Sequence, residues 1–495
     1  MVGKPNPYDS VAYPSFSFSA THPDRLAAMG ILHGLSPAPV EQSRVLEIGC
    51  NDGANIVPMA YAIPGGQFVG FDLAHLPIER GLKQIRELKL QNVRLFQGNL
   101  LDVGRELGKF DYIIAHGLYA WVPEPVRDRL MAFCGELLSA NGVAYVSYNT
   151  LPGGHLRTMI REMMLNAVDG VDDPEERVSG GLDFLRLLIA TRQEDDAYRM
   201  LIEDQLKKME KAGTHVTFHD EFAEAYHPVH FVHFVEHARK HGLQYLCEAT
   251  LPPATDPAYR QEIRSALGRD SEADIIMLEQ QLDYLRGRMY RETLLCRGDR
   301  ALRRDFPAQH FRRLLFASQA TLAPVQQSGA ISFTSPRGIK MESNCPGITG
   351  LVEILAAKWP AALSFDEVAQ QLMNAGIAFN ADGVTLIMRL IVTKMIEIRT
   401  WKAPLATSVS NLPRASACAR REARTKMRAT TLLHERIAFE DPIVRSFFQL
   451  LDGTRDRRAI LDALESEFPD RSTGELVAGI DPGLENFFRA ALLEA

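Results

Sequence analysis

The chain has 495 residues, with 55 lysines and arginines against 62 aspartates and glutamates and a formal net charge of −7. At roughly 100 to 200 residues per domain, that length implies two to four domains, and the acidic balance argues against an indiscriminate grip on nucleic acid or anionic lipid. A composition of 46% hydrophobic and 24% charged residues excludes a disordered, collagen-like or coiled-coil chain.

From residue 44 to 149, short β-branched or aromatic runs alternate with helical stretches, the pattern of a parallel sheet joined by crossover helices. Strands are expected at 44–48, 67–73, 93–98, 112–115 and 143–148, with helices at 55–63, 76–88 and 124–138 between them. Pro64-Gly65-Gly66 marks the turn before the second strand, and Asn141-Gly142 stops the third helix. After Pro152-Gly153-Gly154 the alternation gives way to helices at 156–164, 181–191 and 198–211, which read as a helical insertion. A helix at 231–241, with Gly242 as its C-cap, leads into a strand at 243–249 that returns to the sheet; 291–296 is the expected last, antiparallel strand. Beyond about residue 300 the chain reads as mainly helical. Ser364-Phe365-Asp366-Glu367 forms a capping box ahead of an amphipathic run at 368–373. The basic run containing Arg414, Arg420, Arg421, Arg424, Lys426 and Arg428 reads as a solvated helix face or linker, with docking of an acidic partner as the sharper option.

Chemistry is concentrated at Val45-Leu46-Glu47-Ile48-Gly49-Cys50-Asn51-Asp52-Gly53, a buried strand running into a glycine-containing turn that opens a helix. Asp72 ends the next strand, at a spacing that suits a carboxylate accepting both hydroxyls of a ribose. A dinucleotide would want G-x-G-x-x-G facing its pyrophosphate, whereas here the glycines are spaced G-x-x-x-G with Asp52 inside the turn. Glu47 and Asp52 repel phosphate but tolerate a sulfonium, which favours S-adenosyl-L-methionine.

These residues resemble motif I of the class I S-adenosylmethionine-dependent methyltransferases. The runs 111–117, Trp121-Val122-Pro123, Val146-Ser147-Tyr148-Asn149, His219-Asp220-Glu221, Gly242-Leu243-Gln244-Tyr245-Leu246 and Leu451-Asp452-Gly453-Thr454 resemble a bacterial subgroup carrying a methyltransferase regulatory domain. So does the opening from Tyr8-Asp9 to Tyr13-Pro14, followed by Thr21-His22-Pro23. The subgroup includes the rickettsial protein lysine methyltransferases that act on outer-membrane proteins. The resemblance implies an α/β, doubly wound Rossmann-like sheet with a helical insertion and mainly helical C-terminal domains. It implies a cofactor-binding core at 1–155, the insertion at 156–225 and the remainder of the catalytic and regulatory domain at 226–300. A helical, winged-helix-like domain at 301–405 and a C-terminal helical domain at 406–495 follow.

Carried over residue by residue, Glu47, Gly49, Cys50, Asn51 and Gly53 form the loop under the methionine part and ribose, and Asp72 binds the ribose. Leu73 and Leu100 pack the adenine, Asn99 accepts its amino group, and His116 and Gly117 line the methyl-donor end. Around the acceptor the expected residues are His116, Tyr148, Asn149 and Tyr13, with none assigned as general base. Asn51 replaces the common middle glycine, and Gly154 stands where the subgroup often has Trp. The implied activity is methyl transfer to protein side chains, lysine favoured. A small-molecule methyltransferase and a non-catalytic cofactor-binding scaffold are the alternatives, and an NAD-dependent oxidoreductase is more distant. A protein substrate and a homodimer are compatible with this reading; nucleic acid and membrane insertion are not expected. The six cysteines form no C-x-x-C pair or zinc spacing, and the opening lacks a secretory signal pattern, so the chain reads as cytoplasmic and reduced. His233 and His237 lie four apart, but the apolar residues between them make 231–241 a packing helix, and no metal is expected.

Overall fold

The computed structural model describes residues 7–251, 265, 275–325, 329–377 and 383–495. Seven strands form one sheet: β1 (Arg44–Ile48), β2 (Gln67–Asp72), β3 (Val93–Gln97), β4 (Phe110–Ala115), β5 (Leu138–Asn149), β6 (Leu243–Glu248) and β7 (Tyr290–Arg297). Their order is β3-β2-β1-β4-β5-β7-β6. β1 to β5 run parallel, and β7 enters antiparallel between β5 and β6. This is the doubly wound, Rossmann-like sheet that the strand pattern predicted.

The near-continuous burial of β1 follows from its central position, because both faces are covered. Val45, Tyr112 and Tyr145 join the apolar cluster on one face; Leu46, Ile113, Val146 and Tyr148 join the cluster on the other. Each fully buried aliphatic side chain stabilises the sheet by about 1.5–3 kcal/mol relative to exposure. The direction of winding reverses between β1 and β4, which opens a crevice beyond their carboxyl ends, where ligands of such sheets bind.

The insertion consists of helices Gly154–Ala167, Pro174–Ala190, Ala197–Ala212 and Thr214–Glu221. Asp173 and Asp196 cap the second and third by accepting two backbone N–H groups each, and Ile160, Met164, Leu185, Ile202 and Met209 give the unit its own small core. Helix Phe231–Lys240 then leads into β6, as read from the sequence.

The C-terminal part is mainly helical, and the capping box of Ser364 and Glu367 opens helix Phe365–Asn374 as expected. Short strands are added: Thr321–Pro324, Ile331–Thr334 and Lys340–Ser343 form one sheet, and Leu315–Ala317 pairs with Leu363–Ser364 and Glu397–Arg399. Arg428–Thr430 and Arg436–Ala438 form a hairpin. Runs of two to four residues are too short for period-two alternation to register in a sequence. The apolar cluster on the Val45 face continues into Phe316, Leu355, Ile396 and Trp401, so this part is fused to the sheet, whereas Phe448, Ile460 and Leu484 belong to a separate core.

Candidate cofactor and acceptor site

The turn after β1 holds Gly49, Asn51 and Gly53 at φ +74°, +50° and +75°. Asn tolerates the left-handed region better than most residues with a Cβ, so Asn51 preserves the turn. A side chain at Gly53 would be strained by the positive φ, and its Cβ would lie 2.8 Å from Leu95 Cδ1 and 2.9 Å from Val57 Cγ2, so both neighbours would have to shift. Cys50 is buried, and burial pushes its thiol well above the usual range, so it packs as a small apolar residue.

At the tip of β2, Asp72 Oδ2 accepts the Asn51 N–H at 2.8 Å and Oδ1 accepts the Ala74 N–H at 2.9 Å. Each oxygen keeps a lone pair for a ligand hydroxyl. Burial raises the Asp72 pKa against these two bonds. Leu73, the next residue, is 58% exposed, a large apolar side chain left uncovered at the crevice, while Leu100 is buried. Asn99 Oδ1 accepts the Leu101 N–H at 3.0 Å, so its carbonyl already serves a turn.

Behind the turn, Glu47 is buried. Its Oε1 accepts from Asn55 Nδ2 at 2.7 Å, Oε2 has no protein partner, and desolvation pushes the carboxyl up to about 8. Asp52 Oδ1 accepts the Ala54 N–H, and its Oδ2 lies 3.3 Å from Lys426 Nζ. The two acidic residues read from the sequence as free negative charges are therefore one group held largely protonated at neutral pH and one paired with a lysine 374 positions away.

Beyond β4, the Gly117 N–H donates to Ser147 Oγ at 2.8 Å. His116 Nδ1 lies 3.0 Å from Tyr145 Oη, whose hydroxyl donates to Glu292 Oε1 at 2.8 Å. With the tyrosine proton committed to the carboxylate, His116 donates from Nδ1 and keeps the lone pair on Nε2. Phe18 stacks on the imidazole at 3.7 Å between centroids. Burial, assisted by Arg436, lowers the His116 pKa to about 4, so the ring is neutral at neutral pH.

The N-terminal segment lies across this crevice. Asp9 accepts the Leu76 N–H, Tyr8 stacks on His219 at 4.3 Å, and the Tyr13 hydroxyl donates to Asp220 Oδ1 at 3.3 Å. The Ser15 hydroxyl donates to Asn51 Oδ1, and the Phe18 N–H donates to Asn55 Oδ1. The basic run of the C-terminal part, read from the sequence as a solvated face, holds this segment down. Arg428 donates to the Ser15 carbonyl at 3.0 Å and lies over Phe16 at 4.1 Å, and Arg436 covers the same ring at 4.9 Å. His434 Nε2 reaches Asn55 Oδ1 at 2.9 Å.

Glu47, Gly49, Asn51, Gly53, Asp72, Leu73, His116 and Gly117 thus gather at the crevice, with Tyr13 in the segment above it. Tyr148 does not. It is fully buried on the opposite face, stacked on Phe234 at 4.0 Å with its hydroxyl 3.1 Å from Thr293 Oγ1. The expectation that it borders the acceptor is corrected by strand parity, which directs Tyr145, Ser147 and Asn149 to the His116 side and Tyr148 away. Asn149 is buried at the end of β5, opposite Tyr290. Sequence reading missed Tyr145, Tyr290, Glu292 and Asp220 as site neighbours. The signal for Tyr145 lay only in its spacing of two from Ser147.

Three family descriptions match the chain: a methyltransferase domain at 46–144, a predicted methyltransferase regulatory domain at 213–297 and the PKMT C-terminal winged helix domain at 411–475. The uncharacterized protein RP028 of Rickettsia prowazekii is 34% identical over 249 residues, covering 50% of this chain and 100% of the relative. The chain is a class I S-adenosylmethionine-dependent methyltransferase. It belongs to the group that carries the regulatory domain. Over 489 residues the methyltransferase is 28% identical to the uncharacterized protein RP789 of the same organism, covering 94% of this chain and 86% of the relative. PKMT2 from Rickettsia typhi, solved in complex with AdoHcy, superposes with a TM-score of 0.83 at 24% identity, covering 97% of this chain and 99% of that one, which shows a shared fold. No helix among the described residues is long and apolar enough to cross a membrane.

Proposed function

We propose that the methyltransferase alkylates protein side chains, with lysine as the acceptor. The observation that carries this reading is the wall beside His116, where Tyr145 and Tyr290 from neighbouring strands meet Glu292, together with the Tyr13–Asp220 pair that ties the crossing segment to the insertion. Aromatic rings and carboxylates attract an ammonium, and the same burial favours the neutral amine that must attack. The resemblance to rickettsial protein lysine methyltransferases and the shared fold of PKMT2 support the choice of a polypeptide.

The residues present fit the cofactor. Gly49, Asn51 and Gly53 offer a close backbone approach, Asp72 offers acceptors for ribose hydroxyls, and Leu73 offers an apolar face for adenine, with Leu100 behind it and Asn99 at its edge. Glu47 Oε2, buried behind the turn without a protein partner, is left for a polar group of the ligand. Cys50 packs beneath, and His116 and Gly117 border the methyl end. S-adenosyl-L-methionine, when bound, supplies a methyl group already activated by its sulfonium. The protein's own share is alignment and exclusion of water. Neutral His116, fixed by Tyr145, orients the acceptor, and a ring titrating near 4 is too weakly basic to strip a lysine ammonium. Asn149 and Tyr13 border the acceptor path. A cytoplasmic homodimer with the five-part division at 155, 225, 300 and 405 belongs to the same reading, and light scattering checks the dimer.

Two measurements test the reading. Asp72→Ala should weaken S-adenosylhomocysteine binding at least about tenfold, the scale of about 1.4 kcal/mol for lost hydrogen bonds to a charged group; undiminished affinity would remove the site assignment. Mass spectrometry of bacterial protein extracts incubated with enzyme and cofactor should find methyl mass gains on lysines, and gains confined to metabolites would favour a small-molecule enzyme.

A further inference from the structure

Away from the cofactor crevice, a side-chain cluster joins two helices. His237 and His241 lie one turn apart at the end of helix Phe231–Lys240, within the segment matching the regulatory domain, and Asp128 belongs to helix Glu124–Leu137, within the segment matching the methyltransferase domain. Asp128 Oδ1 lies 3.1 Å from His237 Nε2 and 2.8 Å from His241 Nε2. The three donor atoms all fall within 4.8 Å of one another.

A tetrahedral zinc ion with bonds of about 2.0–2.2 Å needs ligand-to-ligand edges of about 3.4 Å; the two edges from Asp128, at 3.1 and 2.8 Å, widen by a few tenths of an ångström to reach it, and side-chain rotation brings the two imidazoles, within 4.8 Å of each other, to the same spacing. Both imidazoles already present Nε2 to the same carboxylate oxygen. His237 is also held from behind, because its Nδ1 pairs with Tyr119 Oη at 2.9 Å, the kind of outer contact that fixes the ring and tautomer of a metal ligand. Two imidazole nitrogens and one carboxylate oxygen suit zinc, nickel, cobalt or copper better than magnesium or calcium, and they leave a fourth position for water.

We propose that Asp128, His237 and His241 form a binding site for a divalent transition cation of the zinc type. The bound ion clips the regulatory helix to the catalytic sheet's outer helix. His233, one turn earlier on the same helix, is the pairing that sequence spacing first suggests for His237, yet the carboxylate that completes the set faces His237 and His241 instead.

Isothermal titration of the metal-free full chain with zinc chloride tests the site, with cobalt(II) absorption as a second reading of the donor set. One equivalent should bind and raise Tm. His241→Ala and Asp128→Ala, which both leave the Tyr119 to His237 contact in place, should each weaken that binding at least about tenfold. Circular dichroism confirms that the variants are folded. Absence of stoichiometric binding in the parent protein would overturn the proposal, and so would affinity undiminished from the parent's in both variants, which would point to other histidines.

Discussion

Strand parity makes Tyr145 and Tyr148, three positions apart in one strand, a controlled pair. Tyr145→Phe removes the hydroxyl that bridges His116 to Glu292, so kcat should fall by about one to two orders of magnitude while cofactor affinity is kept, the range for a group that orients reacting partners. Tyr148→Phe loses only a buried contact with Thr293, costing about 1 kcal/mol of stability with kcat unchanged; steady-state kinetics beside urea melts separate the two. Glu47 makes a pH prediction with a definite sign. Its carboxyl titrates near 8 in the folded chain, against an ordinary value of 4.5. Between those values the folded state holds a proton that the unfolded state has released, so stability falls as pH rises through that window. Glu47→Gln keeps the acceptor for Asn55 and removes the titration. Its Tm should match the parent near the lower end of the window and exceed it increasingly toward the upper end; parallel curves would show that Glu47 stays ionised in the fold.

At the level of elements, the partly parallel sheet is locked at its far edge by charge. Arg291 of β7 is fully buried and donates to Glu248 of β6 and to Asp283 and Glu279 of helix Ile275–Arg286, and its guanidinium lies 3.8 Å from the Phe231 ring centroid. Removing Arg291 leaves three buried carboxylates with only Arg288, which reaches Glu248 at 2.9 Å and Asp283 at 3.6 Å, so Arg291→Ala should cost about 3–5 kcal/mol in a denaturant titration. Much of this architecture was legible beforehand. β1 begins and ends where its apolar run does, and β2, β3, β6 and β7 fall within two residues of expectation, because hydrophobic period and glycine punctuation decide them locally. β5 was legible as a strand but not by face, since the run from Val143 to Tyr148 is apolar but for Ser147 and buried on both sides. Parity there depends on what packs above, which is tertiary information. The cofactor turn could be read for a related reason: Gly49, Asn51 and Gly53 encode backbone shape in residue type, whereas Glu292 reaches the site from a distant segment with no local mark, and the runs that hold Asp220 and Lys426 stand out in the sequence without showing that they fold onto the site.

Across the whole molecule, the two ends of the chain meet over the crevice. Lys426 pairs with Asp52 in the turn after β1, Arg428 and Arg436 both lie over Phe16, and Phe18, two residues on, stacks on His116. Tyr61, toward the far end of the helix that this turn opens, is hydrogen-bonded to Glu494 and accepts the Ala417 N–H at 3.0 Å, a second tie between the two parts. The C-terminal part is thus a clasp for the N-terminal segment that lies across the crevice. Each cation over an aromatic ring contributes roughly 0.5–2 kcal/mol, so losing both guanidiniums frees the segment without unfolding the separate core around Phe448. The double variant Arg428→Ser, Arg436→Ser should therefore raise the KM for S-adenosylmethionine by about tenfold or more, equivalent to about 1.4 kcal/mol or more of lost closure. Limited proteolysis should cut it before residue 19 faster than the parent, and saturating S-adenosylhomocysteine should restore protection, because a ligand bound under the segment favours its closed position. Unchanged cleavage together with unchanged KM would mean that the segment closes on the sheet through Asn51 and Asn55 alone and that the clasp plays no part in it.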